Sequence, residues 1–220
     1  MRLDKDNILF EIQKLNDKEI ENYYKKLISN NNALSKVELF NGYTKLLNLL
    51  SFKRIDIADE SQLLFESRRD LYFLMTITVM GIPEAIENLA KVRALGVAII
   101  NNNNNNTNNN FINNTKPSLL LNTNLTSFSN KVENIKHTIE KLEFNDKNKL
   151  NALMNLIVSD FYTIKTFAHN IIGNNSNINS KEYFMESTKL VNDCKYAYTW
   201  PPKRITLGHL TKLNSTLLKL

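Results

Sequence analysis

The residues able to do chemistry are few and scattered. Three histidines, His137, His169 and His209, fall in three separate predicted segments. No helix therefore carries two of them at the spacing that a zinc or di-iron centre needs. No His-Glu-x-x-His, Cys-x-x-Cys or Glu-x-x-His pattern occurs. Glu133 and His137 stand one helical turn apart, a spacing that an ordinary surface pair accounts for. The single cysteine, Cys194, adjoins Lys195, and a neighbouring cation lowers a thiol pKa. No histidine is adjacent in sequence to activate it, so it reads as structural. With five glycines in 220 residues, neither Gly-x-Gly-x-x-Gly nor Gly-x-x-x-x-Gly-Lys appears. A backbone cradle for nucleotide phosphates has little to be built from. The expectation is a non-enzyme with no catalytic residue, no metal site and no cofactor.

Contact chemistry is better represented. Trp200-Pro201-Pro202-Lys203-Arg204 joins the only tryptophan to two stiff prolines and two cations, close to Tyr196 and Tyr198. Aromatic residues beside arginine anchor protein interfaces, and interleaved aromatic and basic residues also contact nucleic acid. A tryptophan that packs one end of a helical core, with prolines redirecting the chain, fits the same residues. Arg68 falls near the apolar positions Leu64, Leu71 and Met75, where it snorkels to water, pairs with a buried acid or meets an anionic ligand.

Charge placement says more than the net value of +6. Residues 1–100 hold 14 basic and 14 acidic side chains; the remainder holds 14 basic and 8 acidic. After Asp193 there is no acid, while Lys195, Lys203, Arg204, Lys212 and Lys219 follow. Such a tail is drawn to phosphate or to an acidic partner surface.

These groups must be positioned by helices. Glycine and proline, which sheet turns consume, number only 5 and 4. Ile8, Ile12, Leu15, Ile20, Tyr23 and Leu27 predict one helix over Asp4 to Ile28. Ser35-Lys36-Val37-Glu38 is a capping box that opens a second helix through Phe40, Tyr43, Leu47 and Leu50. Lys53 and Arg54 are expected just past its end, with Ile55 to Ile57 a connection. A third helix is expected from Asp59, broken at Gly81-Ile82-Pro83-Glu84, and a fourth from there to Val97, with Gly96 permitting a close crossing. Asparagine is abundant, 35 in all, nine of them in Asn101 to Asn110. That run reads as a disordered polar spacer within a linker over 101–125.

Beyond the linker, Val132, Ile135, Ile139 and Leu142 step by three and four. Leu150, Leu153, Ile157, Phe161, Ile164, Ala168 and Ile171 continue a heptad-like stripe, closed by Gly173. Asn179 to Glu182 opens another helix, with Phe184, Val191 and Tyr198 facing inward, stopped by Trp200-Pro201-Pro202. Leu207, Leu210, Leu213, Leu217 and Leu220 suit a short amphipathic helix.

The expectation is an all-α protein: an antiparallel helical bundle or coiled-coil-like hairpins with a disordered Asn-rich insertion. Its regions are 1–100 (about four helices), 101–125 (linker), 126–199 (helical hairpin region) and 200–220 (basic tail). No apolar stretch approaches a membrane span, and the acid-containing start, Met1 to Asp6, resembles neither a secretory nor a mitochondrial leader. A cytoplasmic or nuclear protein follows. The leading function is a non-catalytic scaffold or adaptor subunit that binds other protein subunits through Ile157, Phe161, Ile164, Trp200, Lys203 and Arg204. A homo-oligomer is compatible with that reading. The alternative is a nucleic-acid-associated protein using the basic C-terminal region.

Overall fold

The computed structural model describes residues 5–61, 69–105, 117–143, 147–173 and 178–199. Among these residues every regular element is helical: α1 (Lys5–Gln13), α2 (Lys18–Ser29), α3 (Lys36–Glu60), α4 (Arg69–Met75), a π-helical turn (Thr76–Gly81), α5 (Ile82–Asn105), α6 (Pro117–Glu140), α7 (Lys147–Ile172) and α8 (Ser180–Thr199). Trp200 to Leu220, Arg68 and the asparagine run beyond Asn105 lie outside the described residues. The chain divides into two compact units at residues 65/66, so α5 belongs with α6 to α8 rather than with α1 to α3.

In the first unit the single helix expected over Asp4 to Ile28 is two. Asn16 takes a left-handed φ of 51°, which asparagine tolerates better than most residues. Asp17 then caps α2, accepting from the Glu19 and Ile20 amides at 3.1 Å. The capping box of α3 forms: the Ser35 amide donates to Glu38 Oε2 at 2.8 Å, and the Glu38 amide returns to Ser35 Oγ at 3.3 Å. From there α3 runs on through Lys53, Arg54 and the expected connection at Ile55 to Ile57. The core of this unit is Ile8, Ile12, Ile20, Tyr24, Leu27, Leu46 and Leu50. Two phenols tie it together: Tyr24 donates to the Lys5 carbonyl at 3.3 Å, and Tyr23 to the Gly42 carbonyl at 3.2 Å.

In the second unit the break expected at Gly81 to Glu84 is absent. A proline inside a helix loses a hydrogen bond and crowds the carbonyl four residues back. Here the π turn directly before Pro83 absorbs the conflict, with the Ile82 amide donating to Ile77, five residues back. Thr76 and Thr78 donate their hydroxyls to the Tyr72 and Leu74 carbonyls at 3.0 and 2.9 Å. Gly81 is a spacer, not a breaker: a Cβ there would lie 2.8 Å from Ile135 Cγ1 on α6. The resulting run, Arg69–Asn101, is long and apolar enough to cross a membrane by length and composition. Within the unit its side chains Ile77, Val79, Ile82, Leu89, Val92 and Leu95 are buried, and α5 packs chiefly on α6 and α8.

The described edges of the expected linker, 101–105 and 117–125, are also helical. Pro117 opens α6, where its missing N–H costs nothing, and Leu121 and Leu125 extend the buried stripe Phe128, Val132, Ile135, Ile139 towards the N-terminus. On α7 the buried stripe is Leu150, Met154, Ile157, Phe161, Ile164, Ala168 and Ile171, every step three or four. On α8 the inward aromatic is Tyr183, fully buried, whereas Phe184 is 43% exposed. Tyr183 fills the gap that Gly96 leaves on α5, and its hydroxyl donates to the Val92 carbonyl at 2.9 Å.

A Cβ at Gly96 would fall 2.3 Å from the Tyr183 ring, whereas one at Gly42 meets only the far end of the flexible Leu27 side chain at 2.5 Å. Ala gains up to about 1 kcal/mol over Gly in helix propensity, and overpacking a rigid site costs about 1–3 kcal/mol. Gly96→Ala is therefore expected to lower the urea midpoint, and Gly42→Ala to leave it level or raise it.

Candidate functional site

Packing decides which predicted contact residues reach the surface. Ile157, Phe161 and Ile164, expected to face a partner, are buried inside the second unit, at 1%, 6% and 1% exposure. Phe161 lies against Phe128 of α6, ring centroids 4.7 Å apart. A narrow heptad stripe needs a helical neighbour, and α6 and α8 of the same chain supply it. Trp200, Lys203 and Arg204 lie outside the described residues.

The groups with catalytic potential stay apart. His137 and His169 are exposed, and His137 Nδ1 stands 3.7 Å from Glu140. His209 is outside the described residues. Cys194 is buried, and burial, then the charge of Asp193, pushes its thiol pKa up, the reverse of activation. It lines a void of about 10 Å³ with Ile82, Ala85, Val132, Ile135, Met154, Ile157 and Ala197. That lining is apolar, and a single water needs about 10–15 Å³ and polar partners. Among the described residues no group of His, Cys, Asp and Glu is placed to hold a metal ion.

The exposed side chains include a mixed strip along the α7–α8 junction. On α8, Met185, Lys189 and Tyr196 are four and seven residues apart and share one side of the helix; Met185 and Tyr196 are 60% and 63% exposed. On α7, Leu156 and Asp160 are four apart, with Leu156 49% exposed. Lys189 donates to Asp160 Oδ2 at 2.8 Å and joins the two rows. Asp193, one turn beyond Lys189, faces the same pair. Burial, followed by the Asp160 carboxylate, raises the Asp193 pKa, while Lys189 opposes the shift. Asp193 Oδ2 is shut from water without a hydrogen-bond partner. Asp160 holds the Lys189 ammonium charged to higher pH than usual. The strip is apolar at both ends and charged in the middle. The spacing of Met185, Lys189 and Tyr196 was the signal for it, hidden by the inward placement expected of Phe184.

On the other flank of α8, Arg93 of α5 donates to Thr188 Oγ1 at 3.2 Å and lies over the Phe184 ring, 5.2 Å from its centroid. Burial, then Arg93's charge, lowers the Lys195 pKa, and burial lowers that of Arg93. Two further charged residues escaped the sequence reading: Glu11 and Arg54 are buried in the first unit at 3% and 2% exposure. Lys14 donates to Glu11 at 3.0 Å. The i, i+4 run Leu46, Leu50, Arg54, Ala58 marks Arg54 as inward-facing.

No protein-family model, curated protein or solved structure matches this chain.

Asp193 carries a pH signature. Its folded pKa is raised, so the native state holds a proton that the unfolded chain releases. Stability therefore falls as pH rises from the ordinary carboxylate range through the raised value. Asp193→Asn is expected to raise the urea midpoint at about pH 7 and to change it little at about pH 3, where the carboxyl is protonated in both states.

Proposed function

We propose that this chain is a non-catalytic helical adaptor or scaffold subunit, and that the α7–α8 strip is its partner-binding surface. The carrying observation is the exposure of Leu156, Met185 and Tyr196 beside a helix pair whose inner stripes are already used. Tyrosine and methionine are enriched at protein interfaces, whereas lysine and aspartate are depleted; Met185 and Tyr196, not the ion pair between them, support the reading.

The framework for this reading is an antiparallel four-helix bundle. Four pairs of contacts support it, each with residue numbers rising on one helix and falling on the other. Gly81 meets Ile135 and Glu84 pairs with Lys131 across α5 and α6. Phe128 meets Phe161 across α6 and α7, and Val132 and Ile135 share a void with Met154 and Ile157. Asp160 pairs with Lys189 and Phe167 meets Tyr183 across α7 and α8. Gly96 meets Tyr183, and Ile82 and Ala85 share the same void with Cys194 and Ala197, across α5 and α8. A bundle of this kind presents fixed outer faces, which is what a scaffold needs. A cytoplasmic or nuclear setting belongs to the same proposal.

The double variant Met185→Glu/Tyr196→Glu, made in the full chain and tagged in its native cell, should lose its co-purifying subunits by about tenfold or more, as removal of interface hot spots does. Tyr162→Glu, which alters an exposed tyrosine elsewhere on α7, should retain them. Undiminished recovery by a helical, folded double variant would sink the proposal.

A second reading, nucleic-acid association, is favoured by Arg93, Phe184 and Lys195 on one flank of α8, continuous in sequence with the acid-free segment after Asp193. Binding to a duplex or single strand should then weaken steeply with salt, log K falling by about 0.7–0.9 per phosphate contact against log salt. It should also be lost on deleting residues 200–220. That truncation spares Cys194 and Ala197, which are core. Binding that ignores salt counts against this reading.

A further inference from the structure

We propose that the outer flank of the α5–α8 junction binds a phosphate group, with Arg93 at the centre of the site and Thr188 beside it. Arg93 reaches from α5 to α8, where one guanidinium N–H goes to Thr188 Oγ1 at 3.2 Å and Cζ stands 5.2 Å from the centre of the Phe184 ring. A guanidinium carries five N–H donors in a planar fork, and a phosphate or carboxylate matches that fork with two parallel bonds. Arg93 is half-buried, yet among the described residues no carboxylate pairs with it, and burial alone shifts its pKa, downwards. A cation drawn partly out of water without an anion is unfavourable, and a ring face offsets only part of that. Thr188 points to the same ligand. A mid-helix threonine can return its hydroxyl proton to the carbonyl four residues back, as Thr76, Thr123, Thr138 and Thr166 do. Thr188 makes no such bond among the described residues; its oxygen accepts from Arg93, which leaves the O–H as a further donor at the site.

The layout of charge on α8 selects an anion. Lys181, Thr188 and Lys195 recur every seven residues, which sets them within about 20° of one line and about 10.5 Å apart along the helix. Glu182, Glu186 and Asp193 lie about 120–160° round the axis from Thr188, on the side where Lys189 reaches Asp160 of α7. On α5 the residues one turn from Arg93 are Leu89, Ala90, Gly96 and Val97, none of them charged. Burial, then the charge of Arg93, lowers the Lys195 pKa, so the two cations act on each other and an anion at Arg93 relieves both. A phosphate suits the donors better than a carboxylate does. The fork of Arg93 takes two oxygens; a phosphate keeps a third for the Thr188 hydroxyl, and a carboxylate has none left. The phosphate belongs either to a small phosphorylated molecule or to a nucleic-acid strand, and the chemistry at Arg93 is the same for both.

Titration of the full chain with inorganic phosphate at constant ionic strength, followed by amide NMR, tests this. Saturable shifts are expected, centred on Arg93 and on Phe184 to Lys195. Arg93→Gln should weaken the binding by about tenfold or more. Lys165→Gln removes the same charge from an exposed position on α7 and should weaken it by less than about twofold. Thr188→Val keeps the shape and every charge, and should weaken it by about tenfold, as loss of one hydrogen bond to a charged group does. No saturable shift in the native chain, or equal weakening by Arg93→Gln and Lys165→Gln, overturns the proposal. A short oligothymidylate separates the two sources. Displacement of phosphate by it assigns the site to a strand, and phosphate binding undisturbed by it assigns a small phosphorylated ligand; both uphold the site. The nucleic-acid reading is decided by its salt slope on a strand, whereas this site is decided by phosphate alone, and neither result depends on recovery of a partner by the α7–α8 strip.

Discussion

The second unit turns on one buried contact, the Tyr183 ring lodged against Gly96. The ring has no exposure at all, and its hydroxyl reaches the Val92 carbonyl across the α5–α8 junction. A phenol so placed would otherwise leave a donor without water or partner, at a cost of about 1–3 kcal/mol. The bond is available only because α5 carries no side chain at 96. Slide α8 by one residue and the ring meets a Cβ while the hydroxyl loses its acceptor. Register is therefore set here, and the positions of Cys194 and Ala197 at one end, and Thr188 beside Arg93 on the flank, follow from it.

The π turn before Pro83 serves the same register from the other side. A run from Arg69 to Asn101 with a proline near its middle would kink if it kept α-helical bonding. The wider turn carries the chain into α5 without an interruption, and Ile77 and Val79 within it and Ile82 and Ala85 after it are all buried. Gly81 then lets α6 approach at Ile135. Two of the five glycines are thus used where helices approach closely, not where the chain turns.

That use explains what was legible in the residues and what was not. Helices, the Ser35 capping box and the stripes of α6 and α7 are local patterns, and local patterns survive folding. Leu153 was read for Met154 because both fit a three-or-four step. Phe184 was read as inward for a similar reason; only the vacancy at Gly96, remote in sequence, selects Tyr183. The break at Asn16 and the continuity through Gly81 are reversals of the usual punctuation. An asparagine accepts a left-handed φ inside an apparently periodic run, while a glycine and a proline sit inside a helix whose π turn accommodates them. Burial of Arg54 depends on the fold of α1 to α3 as a unit. The α7–α8 strip was half visible, since Tyr196 and Lys189 are spaced correctly, but its inner boundary rests on which residues α6 covers.

The partition of apolar surface finally constrains function more than any single group does. Ile157, Phe161 and Ile164 cannot contact a partner without opening the core, and core openings cost the full burial of each side chain, about 1.5–3 kcal/mol apiece. An interface built on the described residues of this unit would use flanks, where apolar residues alternate with charge. On the α7–α8 flank an ion pair is already made, Lys189 donating to Asp160 at 2.8 Å, with Asp193 one turn beyond it. A partner that covers this patch desolvates an ion pair with its hydrogen bond made, not a lone charge, and lone buried charge is the expensive case. Charges so matched tune encounter rate and register more than affinity. Affinity would have to come from Leu156, Met185 and Tyr196, which places the energetic centre of such an interface at the two ends of the strip and leaves its middle to determine orientation.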